Sequence, residues 1–352
     1  MLYLRVLILF VPVTVFKAKQ LVNNAHGTTA KGYKRAPDAN KDAFDKNFDT
    51  CMINQWTTPG PGLPVVLRTS PTAACSTTKH SRLCYGLPAR RPNNAQYISC
   101  YNTEKLIPEF TAYVVPPLVG PPLTGYKRPN AGFRQDEGPL APNPQAQHTD
   151  CNKPPGAVGQ YFCSRGHLVP NGAFDTKDER DLTFTMTNIA PQWQEFNAGN
   201  WNAVEQAVKA YVNNVGHGVY VFTGTAGMAK YWSTKWLFIP WREPYRTGTG
   251  NMVVPKFYWK AVCDPDPAVR QSIVFIAENN VDVTSSTKVT TGTCTGQPMT
   301  QEKGVVYCYS VSAAQNQYFQ NWWHGFTLPD FDPTNCRTGN MGNFLNTLLK
   351  FS

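Results

Sequence analysis
No stretch of this chain approaches the roughly 20 consecutive apolar residues of a membrane-spanning helix. The apolar run Val6 to Phe16 has 11 residues and lies between Arg5 and Lys17-Ala18-Lys19, the layout of a secretory signal peptide, taken here as residues 1–18. A soluble, secreted, extracellular protein with no membrane partner is therefore expected. Also missing are a C-x-x-C pair, a P-loop, G-x-G-x-x-G, H-E-x-x-H and G-x-S-x-G. Their absence removes sequence support for a zinc ribbon, an NTPase, a dinucleotide fold, a zincin or an α/β-hydrolase. There is no internal repeat, low-complexity tract or N-x-S/T sequon, so the expectation of secretion rests on the leader and the cysteines.

Cysteine, by contrast, is plentiful. Ten residues (Cys51, Cys75, Cys84, Cys100, Cys151, Cys163, Cys263, Cys294, Cys308 and Cys336) are spread along the chain. An even number at wide spacing fits up to five disulfides in an oxidising compartment better than a metal site, with the pairing left open. The 352 residues can bury a sizeable core, and 41% hydrophobic with 12% aromatic content suits a globular fold. The 29 prolines and 26 glycines imply many turns and long loops. Basic residues outnumber acidic ones by 33 to 23, a net charge of +10. That balance favours a polyanionic partner, nucleic acid first, although general solubility is an equal reading of charge alone.

Residues 19–103 contain four of the cysteines, turns such as Thr58 to Gly62 and the short apolar run Leu63 to Leu67. They read as a small, disulfide-stapled, β-rich N-terminal module, and residues 104–352 as the main domain. In the latter, Phe110 to Val115 reads as a strand and Glu137 to Gly159 as a long loop insertion. Leu182 to Ile189 alternates Thr183, Thr185 and Thr187 against Phe184, Met186 and Asn188, which predicts a strand. From Asn197 to Val212 the residues Trp201, Val204, Ala207, Val208 and Tyr211 recur at three and four, which predicts one amphipathic helix. Further strands are expected at Gly218–Thr223, Val253–Val262 and Gln271–Ile276. The succession predicts an α+β fold with a mostly antiparallel sheet.

The chemistry-bearing groups concentrate between Ser164 and Glu205. His167 follows a glycine, where its ring can project, and neutral imidazole has the basicity to take a proton from water near pH 7. Arg165 supplies a cation. Asn197, Trp201, Glu205 and Lys209 fall at steps of four, so on one helix an amide, a carboxylate and an ammonium would share a side. Asn197 alone also reads as a helix cap. A base, a cation, a hard oxygen donor and a carboxylate together form a toolkit for metal-assisted phosphodiester hydrolysis.

These blocks resemble the DNA/RNA non-specific endonuclease family, the ββα-metal (His-Me finger) nucleases whose signature is Asp-Arg-Gly-His. The signature stands here as Ser164-Arg165-Gly166-His167, followed at the family's spacing by Thr187-Asn188-Ile189-Ala190-Pro191-Gln192, Asn197, Trp201 and Glu205. Weaker echoes are Phe110-Thr111-Ala112-Tyr113, Arg128 with Phe133 and Asp136, Phe222-Thr223-Gly224, and Val254 to Lys260. The resemblance spans about Leu106 to Asn280, and the cysteine-rich N-terminal region is most like the crustacean-type secreted members.

The resemblance implies a ββα-metal core and a Mg²⁺-dependent endonuclease, Mn²⁺ being a substitute, that cuts nucleic acid without sequence specificity and leaves 5′-phosphate ends. Double-stranded DNA is the implied preference and RNA a second substrate. His167 would be the general base and Asn197 the direct ligand of the ion. Arg165 and Lys209 would add positive charge at the phosphate, with Arg128 and Arg134 as further phosphate contacts. Asn188 and Glu205 would orient the base, the waters of the ion or the arginine. Two positions depart from the pattern: Ser164 replaces the aspartate, and Val114 stands where many members place an arginine, with Lys127, Arg128 or Arg134 as stand-ins. A catalytically impaired nucleic-acid-binding protein of the same fold is the alternative, against which the intact His167 and Asn197 argue. Activity is expected to fall steeply with salt.

Overall fold
The computed structural model describes residues 40–58, 64–76, 78–129, 132–138, 144–147, 151, 163–229, 241–242, 246–247, 252–279, 288–289, 293–319 and 328–352. The expected leader and most of the Glu137–Gly159 insertion lie outside the described residues. The longer strands are β1 (His80–Tyr85), β2 (Tyr97–Asn102), β3 (Ile107–Val115), β4 (Cys163–His167), β5 (Ile189–Trp193), β6 (Val219–Ala226), β7 (Phe257–Asp264), β8 (Gln271–Glu278) and β9 (Val306–Tyr309). Seven of them form one sheet in the order β1-β2-β3-β6-β7-β8-β9, antiparallel at each step. Strands β4 and β5 form a separate hairpin-like pair. The helices that matter to the cleft are α1 (Lys177–Leu182), α2 (Gln194–Ala198) and α3 (Asn200–Val215). This is the α+β, mostly antiparallel architecture the sequence predicts.

Both faces of the sheet are buried. Successive strand residues point to opposite sides, so Tyr113 and Val115, Val221, Tyr258 and Val262, and Phe275 share one core with Trp201, Val204, Val208 and Val212 of α3. Their neighbours Phe110 and Ala112, Phe222, Trp259 and Ala261, and Val274 and Ile276 share a second core with Phe48, Trp56, Leu67 and Phe331. The apolar stripe read from α3 is thus the stripe that covers the sheet. The first two strands come from the cysteine-rich stretch, and β2 pairs with β3 from Tyr97↔Tyr113 to Asn102↔Ile107. The hydrogen-bonded sheet therefore runs across residue 103, where composition suggested a boundary, and the chain from Ala36 onward is one compact unit.

All ten cysteines are paired: Cys51–Cys84, Cys75–Cys100, Cys151–Cys163, Cys263–Cys336 and Cys294–Cys308. The first two fasten the N-terminal segments to β1 and β2, and Cys151–Cys163 ties the start of β4.

Two elements differ from the periodicity reading. Leu182 to Ile189 is not a strand: Leu182 ends α1, Met186–Asn188 is a turn of 3₁₀ helix, and the strand begins at Ile189. Thr183 to Asn188 is buried on every side, so its alternation does not separate an inner from an outer face. The single helix expected over Asn197–Val212 is two helices broken at Gly199. An added Cβ there would lie 2.4 Å from the Glu195 carbonyl oxygen and 2.7 Å from that of Lys303, so only glycine allows the backbones to approach. Beyond the break Asn200 N donates to Lys303 O at 3.0 Å, and the Asn200 amide bonds Gly304 O and both backbone groups of Ser352, which pins the start of α3.

Gly199→Ala is expected to destabilise the fold by about 1–3 kcal/mol, because both obstructing atoms are backbone and cannot swing aside. A urea titration checks this: the midpoint should fall at constant slope, and an unchanged midpoint would contradict the close approach.

Candidate active site
The β4–β5 pair places the histidine. Its register runs from Cys163↔Trp193 to His167↔Ile189, and Ser164 Oγ donates to Gln192 O across it at 3.0 Å. The serine that replaces the signature aspartate therefore closes the pair. Gly166 is required for closeness, since a Cβ there would meet Gln192 Cβ at 2.6 Å. Directly after His167 the chain is clamped by Asn188, which is fully buried. Leu168 N donates to Asn188 O at 2.9 Å and Val169 N to Asn188 Oδ1 at 3.0 Å. Asn188 Nδ2 donates back to Val169 O and to Thr183 O, at 3.0 and 2.9 Å. Asn188 thus acts on the backbone beside the base and does not line the cleft.

The His167 ring packs between Phe133 and Phe184, with both centroid distances 4.9 Å. The guanidinium of Arg165 lies 4.9 Å from the Phe133 ring and that of Arg128 lies 5.8 Å from the Phe184 ring. Burial, then the charges of Arg128 and Arg165, push the His167 pKa down to about 3. The ring is accordingly neutral at physiological pH, and its buried Nε2 has no hydrogen-bond partner. Burial, with Arg128, also lowers the pKa of Arg165.

His167 opens on a cleft of about 640 Å³ whose lining includes Arg128, Arg165, Asn197, Glu205 and Lys209. The structure thus brings together most of the residues singled out in the sequence, even though Asn197 and Glu205 belong to different helices. Asn197 caps neither: the residue before α3 is Gly199. The rest of the wall is rich in amides, with Asn171, Gln194, Asn202, Gln206 and Asn213.

Two of the candidate phosphate contacts are engaged elsewhere. Lys209 Nζ donates to Asp175 Oδ2 at 2.8 Å and to Pro116 O at 2.9 Å, so its charge is already paired at the cleft wall. Arg134 does not line the cleft; its guanidinium donates to the carbonyls of Asp181, Phe184 and Lys41, and its backbone pairs with that of Phe184 and Met186. Those bonds hold the loop around Phe133 and make Arg134 structural. Val114 packs on the core opposite the cleft, so no side chain at that register position would reach His167.

Sequence reasoning missed Phe133 and Phe184 as walls of the histidine pocket. It also missed Lys260, a fully buried lysine inside β7. The one available signal was a charge flanked by Tyr258-Trp259 and Ala261-Val262, in a strand that must be apolar on both faces.

The site is compatible with a hard divalent ion. Asn197 offers a carbonyl oxygen, and His167 Nε2 is a buried polar atom awaiting a partner. Among the described residues, a cluster of three or more His, Cys, Asp or Glu is found only at Cys75, His80 and Cys100, where the two sulfurs are bonded to each other. A divalent ion in the cleft would therefore take few protein ligands and keep most of its own waters.

The chain is similar to known proteins in three comparisons. The family model described as DNA/RNA non-specific endonuclease matches residues 80–314. A protein named "Salivary endonuclease", from Lutzomyia longipalpis, is 37% identical over 122 residues, which is 35% of this chain and 28% of that relative's length. A chain from a crystal structure of an EndoG/EndoGI complex aligns with a TM-score of 0.33 and 16% identity, covering 55% of this chain and 75% of that one.

The depressed histidine has a consequence for stability. Unfolded His167 takes a proton near its ordinary 6.5, folded His167 only near 3. Between those values the unfolded state binds more protons, so folded stability must fall as pH falls. Denaturant melts from about pH 7 to about pH 4 should show a shallower loss for His167→Gln than for the wild type. Equal slopes would mean that the ring is not held neutral.

Proposed function
The chain belongs to the DNA/RNA non-specific endonuclease family, and we propose that it is a secreted endonuclease that hydrolyses nucleic-acid phosphodiester bonds without sequence specificity, double-stranded DNA preferred. The observation that carries this reading is the neutral His167, its Nε2 unpartnered, in one cleft with Asn197, Glu205 and the guanidinium groups of Arg128 and Arg165. His167 Nε2 accepts the proton of the attacking water. The water oxygen bonds to phosphorus while the bond to the 3′ oxygen breaks, leaving a 5′-phosphate. Arg128 and Arg165 hold the phosphate and balance its growing charge. Glu205 orients water at the site, and Asn188 keeps the base in place through the backbone. Asn197 would hold a divalent ion, Mg²⁺ or in its place Mn²⁺, which would supply stabilisation of negative charge at the phosphate.

Backbone-directed contact accounts for the lack of sequence preference, because phosphate contacts orient a substrate without identifying bases. Duplex preference rests on the resemblance of the N-terminal region to crustacean-type nucleases. Secretion is supported by five disulfides, which persist in oxidising compartments. The partial relative named a salivary endonuclease agrees with it. No described helix is long and apolar enough to cross a membrane.

Plasmid cleavage by the purified chain in Mg²⁺ and in EDTA tests the reading. Nicking should require the metal, and His167→Ala should lower its rate by about 10²–10⁴-fold. Retention of DNA without cleavage under any divalent metal would replace the reading with that of a binding protein. For the phosphate contacts, Arg128→Ala should reduce the slope of log affinity against log salt by about 1. Lys209→Ala, whose charge is already paired with Asp175, should change that slope less.

A further inference from the structure
Lys260 has no part in the chemistry described above, yet its position is costly. It lies in the middle of β7, paired with Thr223 of β6 and Phe275 of β8, and is 1% exposed. Burying an ammonium is expensive unless charge and hydrogen bonds compensate it. Two of its three donors go to neutral hydroxyls, Tyr113 Oη at 2.8 Å and Thr223 Oγ1 at 2.6 Å. Its Nζ is 5.5 Å from the Tyr113 ring and 5.6 Å from the Trp201 ring. Trp201 is one turn before Glu205 on α3, so the ammonium lies under the helix that carries Glu205 along the cleft.

We propose that Lys260 is a positioning residue of the active site: anchored by Tyr113 and Thr223 and set against Trp201 of α3, its buried ammonium is the counter-charge of Glu205 beneath the cleft. The proposal rests on the reading that Glu205 serves the reaction. His167, Arg165, Arg128 and Lys209 line the same cleft as Glu205, but Lys260 is the one whose charge acts appreciably on its carboxyl. Burial raises the Glu205 pKa and lowers that of Lys260, and each charge opposes the shift of the other. Without the ammonium, burial acts on the carboxyl unopposed. Glu205 would then take up a proton at a higher pH and cease to be the acceptor that orients water.

The test uses Lys260→Met, similar in length and uncharged, in the full mature chain. Isotope-edited NMR of the Glu205 carboxyl in the His167→Ala background should show its titration midpoint raised by about one pH unit or more when Lys260→Met is added. In the otherwise wild-type enzyme the acid limb of kcat/KM should move up by a similar amount, and Lys260→Met should add no further shift to Glu205→Gln. If Lys260→Met does not fold, Tyr113→Phe removes one hydrogen bond from the ammonium and should move the midpoint the same way by less. An unmoved midpoint, or a rate loss uniform across pH, overturns the proposal. A moved midpoint in a protein that cleaves nothing would leave the charge pairing intact and sink the nuclease reading instead.

Discussion
A sheet buried on both faces leaves its strands no water to fall back on, so a polar side chain that points out of it costs free energy unless it finds a partner inside the protein. That constraint organises this molecule. Ser99 donates to Thr187 O at 2.6 Å, which ties β2 to the turn before β5. Tyr85 bridges Asp136 and Thr187, at 2.5 and 2.6 Å, and Asp136 also accepts from Ala43 N, so one buried carboxylate joins three separate segments. Lys260 obeys the same rule with Tyr113 and Thr223. The side chains that stabilise the sheet at these points also fix the loops that carry the cleft.

The positive charge at the cleft is partly engaged within the protein. A net charge of +10 draws a polyanion from a distance, but at the wall Lys209 is paired with Asp175, and Arg134, off the lining, bonds carbonyls. Arg128 and Arg165 also line the cleft, and their charges add to burial in keeping His167 neutral. Amides supply much of the remaining polar surface. An amide can hydrogen-bond a phosphate, a sugar or a base edge without releasing a counterion, so the cleft contributes contact area more than charge.

Rigidity is concentrated around His167. Asn188 grips the backbone just after it, two phenylalanines flank its ring, and Ser164 and Gly166 bring β4 close to β5. An imidazole with two rotatable side-chain bonds is thereby held in one orientation with its Nε2 unpartnered. A side chain held in this way has little reorientation left to make in any reaction it enters.

Much of this was legible in the sequence. The run Phe110 to Val115 gave away β3, and the stripe from Trp201 to Val212 identified the face of α3 that packs on the sheet, since apolar periodicity in a helix records which side of it meets the core. The grouping of His167, Arg165, Asn197 and Glu205 was legible for a related reason: they are close in sequence, on consecutive short elements. What only the tertiary structure decided are matters of long-range partnership. The break at Gly199 depends on the Lys303 carbonyl, over a hundred residues away, and the burial of Thr183 to Asn188 on all sides hides the outward face that an alternating strand would show. The pairing of Lys209 with Asp175, the turning of Arg134 toward carbonyls and the placing of Lys260 against Trp201 of α3 likewise follow from which segments the sheet brings together. Local sequence specifies the direction of a side chain; its partner is specified by the fold.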